Sequence, residues 1–189
     1  MVDLKANKRD FTLLFLVMLI TGAGNTALQS VLPTLGRTIG VADSVIAAAF
    51  SVSAAIWVFT APRWARRSDK DGRREMVMLG LVGFISSVGL CGIVLSLGLH
   101  GILGPLVTML AFIAARMLYG FFGAAAPPAA QAMVALRTSR KERTKALTML
   151  GSAFGLGTIL GPGFAAALAA YHLLAPFFAL AIFALGGAI

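Results

Sequence analysis

Acidic residues are scarce in this sequence, and none falls where the chain is most apolar. Asp3, Asp10, Asp43, Asp69, Asp71, Glu75 and Glu142 are the seven carboxylates, and each lies at or beyond the end of an apolar run. No titratable acid is therefore available deep inside those runs. Cysteine is almost absent as well: Cys91 stands alone in an apolar stretch, so neither a disulfide framework nor a metal cluster can be built from it, and it reads as a small buried apolar residue. No Gly-x-x-x-x-Gly-Lys-Ser/Thr phosphate loop, nucleophile elbow or metal-ligand cluster occurs. ATP-driven pumping by this chain and enzyme chemistry are both left without residues, and no cofactor or metal is implied.

What remains is an oily chain. Of its 189 residues 59% are hydrophobic and only 12% charged, and the mean hydropathy is +0.90. The class this indicates is an all-α membrane protein. Six apolar segments stand out, at about 11–35, 44–64, 75–99, 104–136, 144–170 and 173–189. Most reach the roughly 20 residues that carry a helix across about 30 Å of hydrocarbon. The last is short and ends without a polar flank, so the expectation is a truncated sixth span in a domain covering 1–189. The first has Lys5, Lys8 and Arg9 before it, as a secretory signal would, but it is too long for a signal core and reads as an uncleaved span.

The net charge of +9 would suggest a nucleic-acid partner in a soluble protein. Here no soluble domain is left to carry one, and the basic residues fall in the gaps between spans. Three precede span one, six occupy the gap after span two (Arg63 to Arg74), and five the gap after span four (Arg137 to Lys145), which places 14 of the 16 on one side. The positive-inside rule then puts the N-terminus and both charged loops in the cytoplasm. His100 and His172 mark the short outer loops as interfacial residues.

Small residues and prolines pattern the spans. In span five Gly151 and Gly155, then Gly157 and Gly161, are four apart, so each pair predicts a face that lets another helix approach closely. Pro33, Pro127, Pro128 and Pro162 interrupt spans, where each removes a helical hydrogen bond. Span one carries a polar stripe, Gly22, Asn25, Thr26, Gln29 and Pro33, which must face the bundle interior, for helix-to-helix hydrogen bonding or for substrate contact. Gln131 in span four is a similar candidate.

Three motifs then point the same way. Between spans two and three, Ala65 is followed by Asp69-Lys70-Asp71-Gly72-Arg73-Arg74 in what reads as a tight turn of about ten residues. This resembles the signature loop of the major facilitator superfamily, with Ala65 where glycine is usual. The resemblance implies that Asp69 and Arg73 form a charge cluster that latches this half of a transporter to an opposing half; a basic turn that only fixes topology is the alternative. In span four Arg116 is the one basic residue at depth, and Gly120, Gly123 and Pro127 follow at +4, +7 and +11 as a small-residue face able to line a cavity. This is similar to the same superfamily's Arg-x-x-x-Gly-x-x-Gly pattern, which implies proton coupling for Arg116; a structural tie to span-one carbonyls is the alternative. Gly157-x-x-x-Gly161-Pro162 resembles the span-five motif of exporters that exchange drugs or metabolites against protons, although Ala165-Ala166 replaces its closing glycines. The connector before it keeps Glu142 and Arg143, but Leu136 stands where an aspartate is usual.

The resemblance thus implies the N-terminal six-helix half of a twelve-helix transporter in a bacterial inner membrane. It would export a small organic compound or drug by alternating access, driven by the proton gradient alone, with a missing C-terminal half as partner. A nutrient symporter or facilitator of the same superfamily, or a receptor or assembly subunit that has kept the fold, are the other readings. A proton exchanger normally needs a titratable acid at its core, and this chain supplies none at depth.

Overall fold

A computed structural model describes residues 4–186, all of them in helices or short turns. The helices are α1 (Leu4–Ile39), α2 (Asp43–Asp71), α3 (Arg73–Leu99), α4 (Pro105–Phe122), α5 (Ala126–Arg137), α6 (Arg143–Ala169) and α7 (Ala175–Gly186). Five spans are long and apolar enough to cross a membrane. One of them, Pro105–Arg137, is built from α4 and α5 joined by a single 3₁₀ turn at Gly123–Ala125. The break has a local cause. Pro127 and Pro128 open α5, and two adjacent residues without an N–H cannot hydrogen-bond to the turn before them, which tightens. Pro33 and Pro162, by contrast, sit inside continuous helices.

The expected ten-residue turn between spans two and three is not a turn. Helix α2 runs on through Asp71, and Gly72 alone separates it from α3. Gly72 has φ 106° and ψ 135°, a conformation essentially reserved for glycine, so one residue reverses the chain. The apolar run ends near Trp64, but the helix continues, supported by the i,i+4 pair Arg67–Asp71. Helix α1 likewise overruns its expected 11–35. The sixth span begins at Ala175, later than the expected 173, and α7 has 12 described residues; the expected end at 189 lies outside the described residues.

Helix α1 packs against α6, α2 against α4 and α3 against α7, and α3 also packs closely against α4. Numbered as spans, the first three contacts are one with five, two with four and three with six, a set unchanged when spans one to three are exchanged with spans four to six. That is the pattern of a 3+3 internal repeat. Two clusters of buried side chains hold the bundle. One contains Leu28, Leu32, Phe84, Phe112 and Phe177. The other, towards the basic end, contains Met18, Trp64, Leu81, Val134 and Leu150.

Candidate functional site

The α1–α6 seam shows why span five needs glycine. A Cβ on Gly157 would lie 2.8 Å from the Ala23 backbone nitrogen and collide with the Leu19 carbonyl oxygen, and one on Gly161 would strike the Ala23 carbonyl and the Thr26 hydroxyl. Gly22 meets the Phe154 carbonyl in the same way. Pro162, directly after Gly161, is half-buried in the same continuous helix. The expectation that Gly151 and Gly155 form a second such face is corrected: among the described residues no other helix or side chain comes within 4 Å of a Cβ at either. In lipid a stripe of small residues signals possible contact but does not say that a partner lies opposite.

The stripe on α1 divides between two tasks. Gly22 and Thr26 belong to the seam, where the Thr26 hydroxyl donates to the Gly22 carbonyl at 3.2 Å and is also within 3.3 Å of the Ala23 carbonyl. Asn25 and Gln29 instead face a cavity of about 470 Å³ walled by α1, α2 and α4, with Phe154 of α6. Gln131 does not reach it: it is exposed on α5.

Arg116 lines that cavity although its side chain is almost wholly enclosed, at 1% exposure. Its Nη2 donates to Asn25 Oδ1 at 2.9 Å, so the tie to span one is to a side-chain amide and not to backbone carbonyls. Its guanidinium carbon lies 4.9 Å from the ring centres of both Phe50 and Tyr119. Aromatic faces attract a cation but accept no strong hydrogen bond. Its Nε and Nη1 have no acceptor among the described residues. A cation at such depth costs about 2.5–3.5 kcal/mol even on lenient insertion scales, so its retention needs a reason beyond packing.

Three hydroxyls hold α4 at this level. Ser53 Oγ donates to the Arg116 carbonyl at 3.0 Å, Ser87 Oγ to the Ala115 carbonyl at 2.8 Å, and Thr60 Oγ1 to the Gly120 carbonyl at 3.0 Å. Gly120 is a close-approach point, with a Cβ there falling 3.2 Å from Ile56 Cβ. Gly120 and Gly123 are therefore contacts with α2 and with the Tyr119 ring, and the expectation that they and Pro127 line the cavity is corrected. The cavity wall is aromatic instead. Phe50, Ser53 and Trp57 follow one another at 0, +3 and +7 on α2, and Trp57 and Tyr119 rings lie 5.2 Å apart. That α2 periodicity was available in the sequence, but it does not distinguish a cavity wall from a buried face.

At the basic end, Asp69 Oδ1 and Arg73 Nη2 pair across Gly72 at 2.9 Å, and Arg67 Nε and Asp71 Oδ2 pair at 2.6 Å. Asp71, which the superfamily pattern leaves variable, thus caps a second pair on α2. Ala65 is half-buried, whereas Lys70 and Arg74 are exposed. Arg73 is the more enclosed partner, and its Nε and the Ser68 hydroxyl are buried without a partner among the described residues. Arg137 at the end of α5 pairs with Asp10 on α1, which ties the same end of the bundle together.

Among the described residues no three His, Cys, Asp or Glu side chains gather where a metal ion could bind. The arrangement is a polar, aromatic cavity at mid-helix and a charged hinge at one end. Residues 14–189 match the family described as Major Facilitator Superfamily. Over 187 residues the chain is 35% identical to "Multidrug resistance protein 1" of Bacillus subtilis (strain 168), covering 96% of this chain and 44% of that protein. It is 30% identical to "Multidrug resistance protein 2" of the same organism, covering 93% of this chain and 41% of that protein. The third, at 32%, is "Tetracycline resistance protein, class B" of Escherichia coli, with coverage of 88% and 39%. The chain spans less than half the length of these relatives. With the matched family, the five apolar spans and the paired helices in agreement, this chain belongs to the major facilitator superfamily, a family of integral membrane transport proteins and not of enzymes.

Proposed function

We propose that this chain forms one half of a secondary transporter of the bacterial inner membrane, which exports a small organic compound by alternating access in exchange for protons. One observation carries the reading. Arg116 is enclosed at mid-span beside a 470 Å³ cavity, with donors that the described residues do not satisfy. A group held in that state interacts differently with the cavity open to either side, and a transport cycle needs such a difference. In this reading Asn25 and Gln29 contact substrate from α1, while Arg116 senses the charge of the coupled site. The Gly157–Gly161–Pro162 seam keeps α1 and α6 moving as one body. The relatives named for multidrug and tetracycline resistance support export as the direction.

The basic end faces the cytoplasm in this proposal, because 14 of 16 Lys and Arg gather there. Ala65, Asp69, Lys70, Gly72, Arg73 and Arg74 then form the latch: Asp69–Arg73 is preformed, and the orphan Arg73 Nε is left to meet the opposing half. The energy source is the proton gradient, with no bound cofactor.

The test uses inverted membrane vesicles containing the product of the whole reading frame. With an acid interior, a panel of fluorescent aromatic compounds is expected to accumulate, and a protonophore to stop it. Arg116→Ala is expected to lower the rate at least about tenfold, equivalent to about 1.4 kcal/mol. Accumulation that ignores the protonophore defeats the proton coupling, and the absence of any gradient-driven movement defeats the transport reading.

A further inference from the structure

Charge around the mid-span cavity is one-sided. Arg116 is its single formal charge, enclosed by Phe50 and Tyr119, and no carboxylate lines the cavity among the described residues. The other polar side chains lining it are neutral: Asn25, Gln29, Ser51 and Ser53, with the Trp57 indole and the Tyr119 hydroxyl. Asn25 Oδ1 occupies Nη2, while Nε and Nη1 lack acceptors. A positively charged ligand would meet an unneutralised guanidinium at low dielectric, where like charges repel far more strongly than in water. A ligand with an oxyanion would give Nη1 the charge-assisted hydrogen bond it lacks. The walls set the rest of the ligand's shape. Phe50, Trp57, Tyr119 and Phe154 are rings, so a flat apolar body fits beside the anion.

From this we infer that the cavity recognises a flat aromatic compound bearing a carboxylate or a comparable oxyanion, with the anion on Arg116 and the ring against Phe50, Trp57 and Tyr119. The inference rests on the transport reading above and narrows its substrate class. Asn25 is the specificity-determining neighbour, because it is an acceptor without charge. An aspartate at that position would neutralise the guanidinium from within and remove the reason to bind an anion.

Three ligands of one ring size separate these effects: 2-naphthoate (anion), 2-naphthamide (neutral) and N-methylquinolinium (cation). Their binding to the purified product of the whole reading frame, at pH 7, is measured by titration calorimetry. In the wild type 2-naphthoate is expected to bind at least about tenfold tighter than either of the others. Arg116→Gln is expected to erase that preference. Asn25→Asp, nearly isosteric, is expected to erase it too, by neutralising the guanidinium from within. Equal or weaker binding of 2-naphthoate in the wild type overturns the inference without any variant having to fold, and so does a preference for the anion that survives both substitutions. If the cation is both bound and moved into inverted vesicles while the anion is not, the substrate class is wrong and the transport reading stands. If none of the three binds, the anion inference fails alone, since the vesicle panel judges transport separately.

Discussion

Arginines occur in two settings in this protein, and the difference between them is a matter of water. From Arg63 to Arg74 they crowd a corner where α2 and α3 leave the apolar layer; there Arg67 is 61% and Asp71 41% exposed, and each pair is a local i,i+4 contact. Arg116, at 1% exposure, has one amide acceptor, two rings and three neighbouring hydroxyls arranged around its helix. Apart from the half-buried Arg73, the basic residues in the corner are largely interchangeable as topology signals, because solvent screens them. The single arginine at depth has no such freedom, because every group near it either satisfies it or leaves it unsatisfied. The same chemistry therefore carries coarse information at the surface and fine information in the interior.

Substitutions graded by depth put that contrast at risk. The largest expected effect on stability is at Asn25: Asn25→Leu removes the acceptor of a buried cation and is expected to cost roughly 1.5–3 kcal/mol, read as a lowered midpoint of thermal unfolding in detergent. A cost near zero would mean that Arg116 finds another partner and that its level is no more demanding than the corner. Next comes the seam. Gly161→Leu forces a side chain into the Ala23 carbonyl and is expected to cost roughly 1–3 kcal/mol, whereas Gly151→Leu in the same helix, with nothing opposite among the described residues, is expected to cost close to nothing. Equal losses at the two positions would show that span five packs on both faces.

Gly72→Ala probes the corner through the backbone instead of the charge. At φ 106° a Cβ is strained, so a loss of about 1–2 kcal/mol is expected in the same assay, although the site is exposed. The smallest effect belongs to the exposed pair: Asp71→Asn is expected to change the midpoint by less than about 1 kcal/mol and to be still weaker in high salt. Asp69→Asn should match it in stability while slowing transport, if the latch reading holds. A transport rate unchanged by Asp69→Asn would reduce the corner to a topology signal.

Much of the fold was legible because hydropathy and the bilayer speak the same language. The structure is all helical with five long apolar spans and a shorter apolar helix; Asn25, Gln29 and Arg116 line one cavity, and Gly157 and Gly161 lie against α1. The failures share a cause. Hydropathy reports where an apolar run ends and not where a helix stops, so α2 continues to Asp71, beyond the apolar segment that ends at about 64. Small residues report permission to pack, so Gly151 and Gly155 resembled Gly157 and Gly161. Phe50, Trp57 and Tyr119 wall the cavity without a signal in the sequence, because an aromatic ring facing lipid, core or cavity looks the same there.

The sequence by itself determined an all-helical membrane protein, the basic bias of one end and the one arginine that falls within an apolar run. These follow from the cost of exposing polar backbone and charge to hydrocarbon, which depends on composition along the chain. Only the tertiary structure decided that Asn25 reaches Arg116 across 91 residues of sequence, that two of the five glycines in α6 meet a neighbour's backbone, and that aromatic side chains wall the cavity. Those outcomes depend on which helix lies opposite, and in a bilayer, where apolar faces meet lipid and protein almost equally well, packing geometry makes that choice.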